Sequence, residues 1–180
     1  LYNYHNAKEY ARLEKKLIIV EGFMDVIRLY SVGIKNVVAL MGTALTKEQI
    51  SLLKRLSNNI YLCLDGDNAG CKAMINIGPS LESENINLNI ICLNDGLDPD
   101  EYILKNGKEE FLSLYNNPIS YSEFKINYMK NNANLSTIDD RAKYINDVLK
   151  EIKLEKDEIK QELMLKKISL DFDINMEILQ

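Results

Sequence analysis

The stretch IYLCLDGDNAG, residues 60–70, runs an apolar segment into two carboxylates that flank one glycine. An apolar run this short is too brief for a helix and suits a strand buried on both faces. Small residues and a helical pattern follow, so Asp65 and Asp67 sit in a strand-to-helix turn. Two like charges at the end of a buried strand repel each other unless something offsets them. Either one of them caps the next helix, or both hold a cation.

The same alternation extends in both directions. LIIV (17–20), NVVAL (36–40) and LNIICL (88–93) read as further short strands. Between them lie helical patterns: FMDVIRLYSVG (23–33), closed by Gly33, then 47–56, then 69 to about 81. Thr46 and Gln49 form a capping box at the start of the second. Residues 2–16 are also helix-like. Strands that alternate with helices predict an α/β fold with a four-stranded, mainly parallel sheet and right-handed crossovers. DPDEYILKNG (98–107) predicts a short helix with Asp98 as N-cap and Pro99 in its first turn, and Gly107 opens another to about residue 117. Pro118 marks a boundary beyond which no strand is evident. YSEFKINYMKN, STIDDRAKYINDVLKEIK and KDEIKQELMLKKISLDF are amphipathic, with Ser136 and Asp139 as a cap signal. The expected organisation is an N-terminal helix (1–16), an α/β domain (17–117) and a helical subdomain of three or four helices (118–180).

The composition is that of an ordinary soluble domain, and 180 residues can bury a core. No apolar run reaches membrane-spanning length, and the start lacks signal-peptide architecture. Cys63, Cys71 and Cys92 form no C-x-x-C pair, which argues for reduced thiols, a cytoplasmic setting and no structural zinc. The net charge of −5 counts against a stand-alone DNA binder but not against a module that holds cations. The chain starts within a helical pattern and reads as a piece of a longer protein.

In an open parallel sheet, ligands bind beyond the carboxyl ends of the strands. Glu21 follows the first strand, Asp65 and Asp67 the third, and Asp98 and Asp100 the fourth. Asp25 lies four residues after Glu21, on the same side of its helix. Six carboxylates at one edge demand neutralisation, and an oxygen-only donor set suits a hard divalent cation such as Mg²⁺ rather than zinc. Taken singly, Asp67 and Asp98 have a plain explanation as helix caps. Glu21 does not, because no helix starts immediately after it. Gly22, Gly66 and Gly70 permit sharp turns beside the acids, and Gly42 and Thr43 follow the second strand, where an amide or hydroxyl can meet a phosphate. Lys72 is a further phosphate candidate, although its plainer reading is a solvated side chain. The lone His5 suits a surface or packing role.

The blocks VEGFMDV, MGTALT, DGDNAG and DGLDPDEYI resemble the Toprim domain of bacterial DnaG-type primases, in the family's order and at family-like spacing. The M-D-V and D-P-D elements separate primases from other Toprim proteins. LYNYHNAK resembles the segment just upstream of Toprim, with Asn3 where the family usually has glycine. LSTIDDRAKYI resembles the start of the helical subdomain that closes the catalytic core. The resemblance implies that Glu21, Asp65, Asp67, Asp98 and Asp100 bind Mg²⁺ or Mn²⁺, with Asp25 supporting. It implies RNA primer synthesis from NTPs on a single-stranded DNA template, Glu21 serving as general base or ligand. The family's zinc ribbon and basic upstream subdomain are not in this chain. Helicase contacts are expected through a region outside it, within a primosome. The competing readings are Toprim nuclease or topoisomerase chemistry with the same acids, and a metal- and nucleotide-binding module inactive in isolation.

Overall fold

The computed structural model describes residues 1–42 and 44–179. The first elements in chain order are α1 (Tyr4–Glu14), β1 (Leu17–Val20), α2 (Phe23–Ser31), β2 (Val37–Ala39), α3 (Lys47–Leu56), β3 (Asn59–Leu62), α4 (Asn68–Glu82) and β4 (Asn87–Ile90). They are followed by α5 (Pro99–Asn106), α6 (Lys108–Asn116) and β5 (Ile119–Ser120). The last four are helices: α7 (Tyr121–Asn132), α8 (Ile138–Ile152), α9 (Glu158–Phe172) and α10 (Met176–Leu179). The chain divides into two compact units, Leu1–Tyr121 and Ser122–Gln180.

In the first unit a five-stranded sheet runs in the order β2-β1-β3-β4-β5. The first four strands are parallel, as expected. β5 is the addition: it pairs antiparallel with β4 through Asn89↔Ser120 and Ile90↔Ile119. Two residues after a proline carry no period, so this strand had no sequence signal. Tyr2 forms an antiparallel bridge to Ala39 on the other side of the sheet. Asn3, standing where the family usually has glycine, adopts the left-handed conformation (φ 63) and donates from Nδ2 to the Val37 carbonyl at 2.9 Å. Asparagine is among the few side chains that tolerate this region.

β1 is buried at every position, which explains why LIIV shows no alternation. Ile18 and Val20 join a core with Val26 and Leu29 of α2, Tyr102 and Ile103 of α5, and Phe111 and Tyr115 of α6. Leu17 and Ile19 are equally buried on the opposite face. α3 starts at the expected capping box: Thr46 Oγ1 accepts from Gln49 N at 3.2 Å and Gln49 Oε1 from Thr46 N at 2.9 Å. After β1 the chain places β2 on one side, and β3 goes to the other. This reversal makes the crevice beyond β1 and β3 the topological switch point, where doubly wound sheets bind ligands.

In the second unit, Ile126 of α7, Tyr144, Ile145, Val148 and Ile152 of α8, Ile168 of α9 and Leu179 of α10 form a separate core. The cap of α8 is Thr137, whose hydroxyl accepts from Asp140 N at 3.1 Å, one residue later than the sequence signal. Ser136 instead donates to Asn134 Oδ1 at 2.7 Å in the preceding turn.

Candidate functional site

The turn after β1 carries Glu21 and Gly22, and the turn after β3 carries Asp65, Gly66 and Asp67. Both lie at the switch point, and the loop after β4 brings Asp98 and Asp100 beside them. Asp65 sits at the centre of the group. Burial and then the nearby carboxylates of Glu21, Asp25, Asp98 and Asp67 push its pKa up to about 6. Asp25 is only 4 % exposed. Burial pushes it up to about 6, the charges of Asp98 and Asp100 add to this, and hydrogen bonds from the Gly22 and Asp100 amides oppose it. Cys63, the fully buried residue before this turn, has its thiol pushed up by burial and then by Asp25, which keeps it neutral.

Four of the six acids are held by hydrogen bonds. Asp67 caps α4, its Oδ1 accepting from Gly70 N at 2.7 Å. Asp98 caps α5 the same way, accepting from Glu101 N at 2.7 Å. Asp25 closes the start of α2, its Oδ2 accepting from Gly22 N at 2.9 Å, while its Oδ1 accepts from Asp100 N at 3.3 Å. Asp25 therefore ties the turn after β1 to the loop after β4. Asp100 accepts from Arg28 Nε at 2.5 Å. The side chains of Glu21 and Asp65 have no hydrogen-bond partner among the described residues. The plain capping explanation thus holds for Asp67 and Asp98, and it uses one oxygen of each.

Two glycines shape the turn. A side chain on Gly66 would lie 2.6 Å from the Leu93 carbonyl oxygen, and one on Gly70 would collide with the Asp65 backbone. Gly66 N also donates to Leu97 O at 2.9 Å, which docks this turn on the loop after β4. Gly42 and Lys72 are exposed. Thr43 lies outside the described residues. Arg28 is the residue the sequence reading missed. Its one signal is its place three residues after Asp25, on the same face of α2.

The donor set is oxygen-only and crowded with like charge, which fits a hard divalent cation. Among the described residues, no three Asp, Glu, His or Cys side chains close on one point to grip an ion. Mg²⁺ typically keeps several waters and takes further oxygens from phosphates.

A family model described as Toprim-like matches residues 18–103. A second, described as the DnaB-helicase binding domain of primase, matches residues 122–177. As a whole the chain resembles the Toprim and helical portions of the catalytic core of DnaG-type DNA primases. It is 36 % identical to a DNA primase of Listeria innocua over 182 aligned residues, covering 100 % of this chain and 29 % of that protein. The structure of the Aquifex aeolicus primase zinc-binding and RNA polymerase domains shares 34 % identity at a TM-score of 0.69, over 98 % of this chain and 42 % of that one. The structure of a DnaG primase catalytic domain bound to single-stranded DNA shares 32 % identity at a TM-score of 0.68, over 93 % and 55 %. The chain spans 29 % of the length of the curated relative. The second family match revises one expectation. Helicase contacts were expected outside this chain, but the helicase-binding description falls on its helical unit.

Proposed function

We propose that this chain forms part of a primase catalytic core that makes short RNA primers on single-stranded DNA during replication. The observation that carries this reading is the crowding of Asp65 by Glu21, Asp25, Asp98 and Asp67 at the switch point of a Toprim-like sheet. Glu21, Asp65, Asp67, Asp98 and Asp100 are the candidate ligands for Mg²⁺ or Mn²⁺, with Asp25 as their support. Held there, such an ion would supply Lewis-acid stabilisation to the triphosphate of an incoming nucleotide and to the primer 3′-hydroxyl.

The chain's own residues do the rest. Asp67 and Asp98 cap their helices with one oxygen, and the other makes no hydrogen bond among the described residues. Gly66 and Gly70 keep the turn tight, so that Asp65 and Asp67 share it. Glu21 is open to serve as ligand or as proton acceptor. The amides of Gly22 and Gly42, with Lys72, are candidate phosphate contacts. Single-stranded template, NTPs and the growing primer are the substrates in this reading. The replicative helicase is the partner of residues 122–177. Among the described residues no helix is long and apolar enough to cross a membrane, and the setting we assign is the bacterial cytoplasm.

The test is Asp65→Ala in the full-length parent. Primer synthesis on a single-stranded template should be abolished while the circular dichroism spectrum is retained. Primer synthesis at the parental rate would remove the assignment.

A further inference from the structure

Among the described residues, one basic side chain is ion-paired with the acid edge. Arg28 Nε donates to Asp100 Oδ1 at 2.5 Å, with the two side chains 31 % and 18 % exposed. The backbone N–H of Asp100 donates to Asp25 Oδ1 at 3.3 Å. α2 therefore holds residue 100 twice, through two residues three apart on one face. The same Asp25 takes the Gly22 amide on its other oxygen. Together these bonds join the turn after β1 to the first turn of α5, where Asp98 is the cap.

We propose that Arg28 is a positioning residue that withdraws Asp100 from the cation's ligand set. Arg28 uses Asp100 to fix the start of α5, leaving Glu21, Asp65, Asp67 and Asp98 to hold the ion. This rests on the cation reading above. A carboxylate oxygen in a short, charge-assisted bond must surrender that bond before it can ligate. Doing so would strand a half-shielded guanidinium, and breaking such a pair costs more than an exposed pair contributes. Asp98 carries no such restraint. Each of the two acids bonds through its Oδ1, but the partner of Asp98 is a neutral backbone amide and that of Asp100 is a guanidinium, so only Asp100 has its charge already offset. The loop after β4 thus offers two acids with different duties: Asp98 faces the ion, and Asp100 faces Arg28.

The test is Mn²⁺ binding to the 180-residue chain, followed by electron paramagnetic resonance and calorimetry. Asp100→Asn should bind Mn²⁺ within about twofold of the unaltered chain, whereas Asp65→Asn should bind on the order of tenfold more weakly or worse. Arg28→Gln releases Asp100, so affinity should rise about threefold or more, and adding Asp100→Asn should erase that gain. Arg28→Lys retains a cation opposite Asp100 and should stay near the unaltered chain; it is also the folded control if Arg28→Gln unfolds. An Arg28 that only stabilises α2 would produce no gain that depends on Asp100. A tenfold loss in Asp100→Asn alone, or a gain that persists without Asp100, overturns the proposal and leaves the cation reading standing. Absence of Mn²⁺ binding to the unaltered chain at millimolar concentration overturns both.

Discussion

The Tyr121 hydroxyl donates to the Ile75 carbonyl at 3.1 Å. Ile75 lies four residues before Pro79, inside α4, and proline has no N–H to give that carbonyl. The tyrosine supplies the donor the helix lacks, and its ring passes over Gly78, where any Cβ would collide with it. α4 therefore continues through Pro79 to Glu82. Tyr121→Phe keeps the ring and removes the donor, so the unfolding free energy should fall by about 1–2 kcal/mol in urea titration. Gly78→Ala should cost more, because the ring itself must move.

Asp67 has two duties that one substitution separates. Asparagine caps helices about as well as aspartate, so Asp67→Asn should leave stability within about 0.5 kcal/mol of the parent. Its Mn²⁺ affinity should nonetheless drop clearly, since the charge is gone. Unchanged Mn²⁺ binding would reduce Asp67 to a cap.

The raised pKa values of Asp25 and Asp65 fix the sign of a pH effect. Both stand at about 6 in the fold, against an ordinary value of 3.8. Between those values the folded chain holds more protons than the unfolded one, so these two groups make stability fall as pH rises through that window. In chelator, the melting temperature of Asp65→Asn should therefore decline less between pH 4 and pH 7 than that of the parent. Adding Mg²⁺ at neutral pH should raise the parent's melting temperature and leave the variant's little changed.

Gly70→Ala tests whether the turn's shape matters apart from its charges. Every carboxylate remains, but the new methyl meets the backbone of Asp65. Mn²⁺ binding should weaken together with a measurable loss of thermal stability. An Asp65 left undisturbed, read as parental Mn²⁺ affinity, would show that the turn adapts.

Much of the architecture was readable because local signals and tertiary structure agree. LIIV is buried on both faces and shows no period, and the Thr46–Gln49 box starts α3 where its side chains close on each other. The acid edge followed from strand order, since residues that end parallel strands must share one side of a sheet. What stayed hidden depends on contacts between distant segments. Arg28 acquires its role from Asp100, 72 residues away. β5 exists only because β4 offers it an unpaired edge. The span of α4 through Pro79 was expected, but the Tyr121 hydroxyl that meets the carbonyl of Ile75 was not. At α8, Ser136 and Thr137 are both competent caps, and the Asn134 side chain that engages Ser136 decides between them.

The bridge at Tyr2 and the two-residue β5 have a consequence for solubility. An open row of amides and carbonyls on an outer strand is a template for another chain. Here Tyr2 exchanges both backbone hydrogen bonds with Ala39, at 2.9 and 3.2 Å, and β5 lies along β4 on the far side. Both flanks of the parallel core are thus blunted by short pieces of antiparallel chain. Trimming residues 1–3 or cutting before residue 119 would expose β2 or β4 lengthwise, inviting strand addition between molecules even while every residue of the acid edge remained.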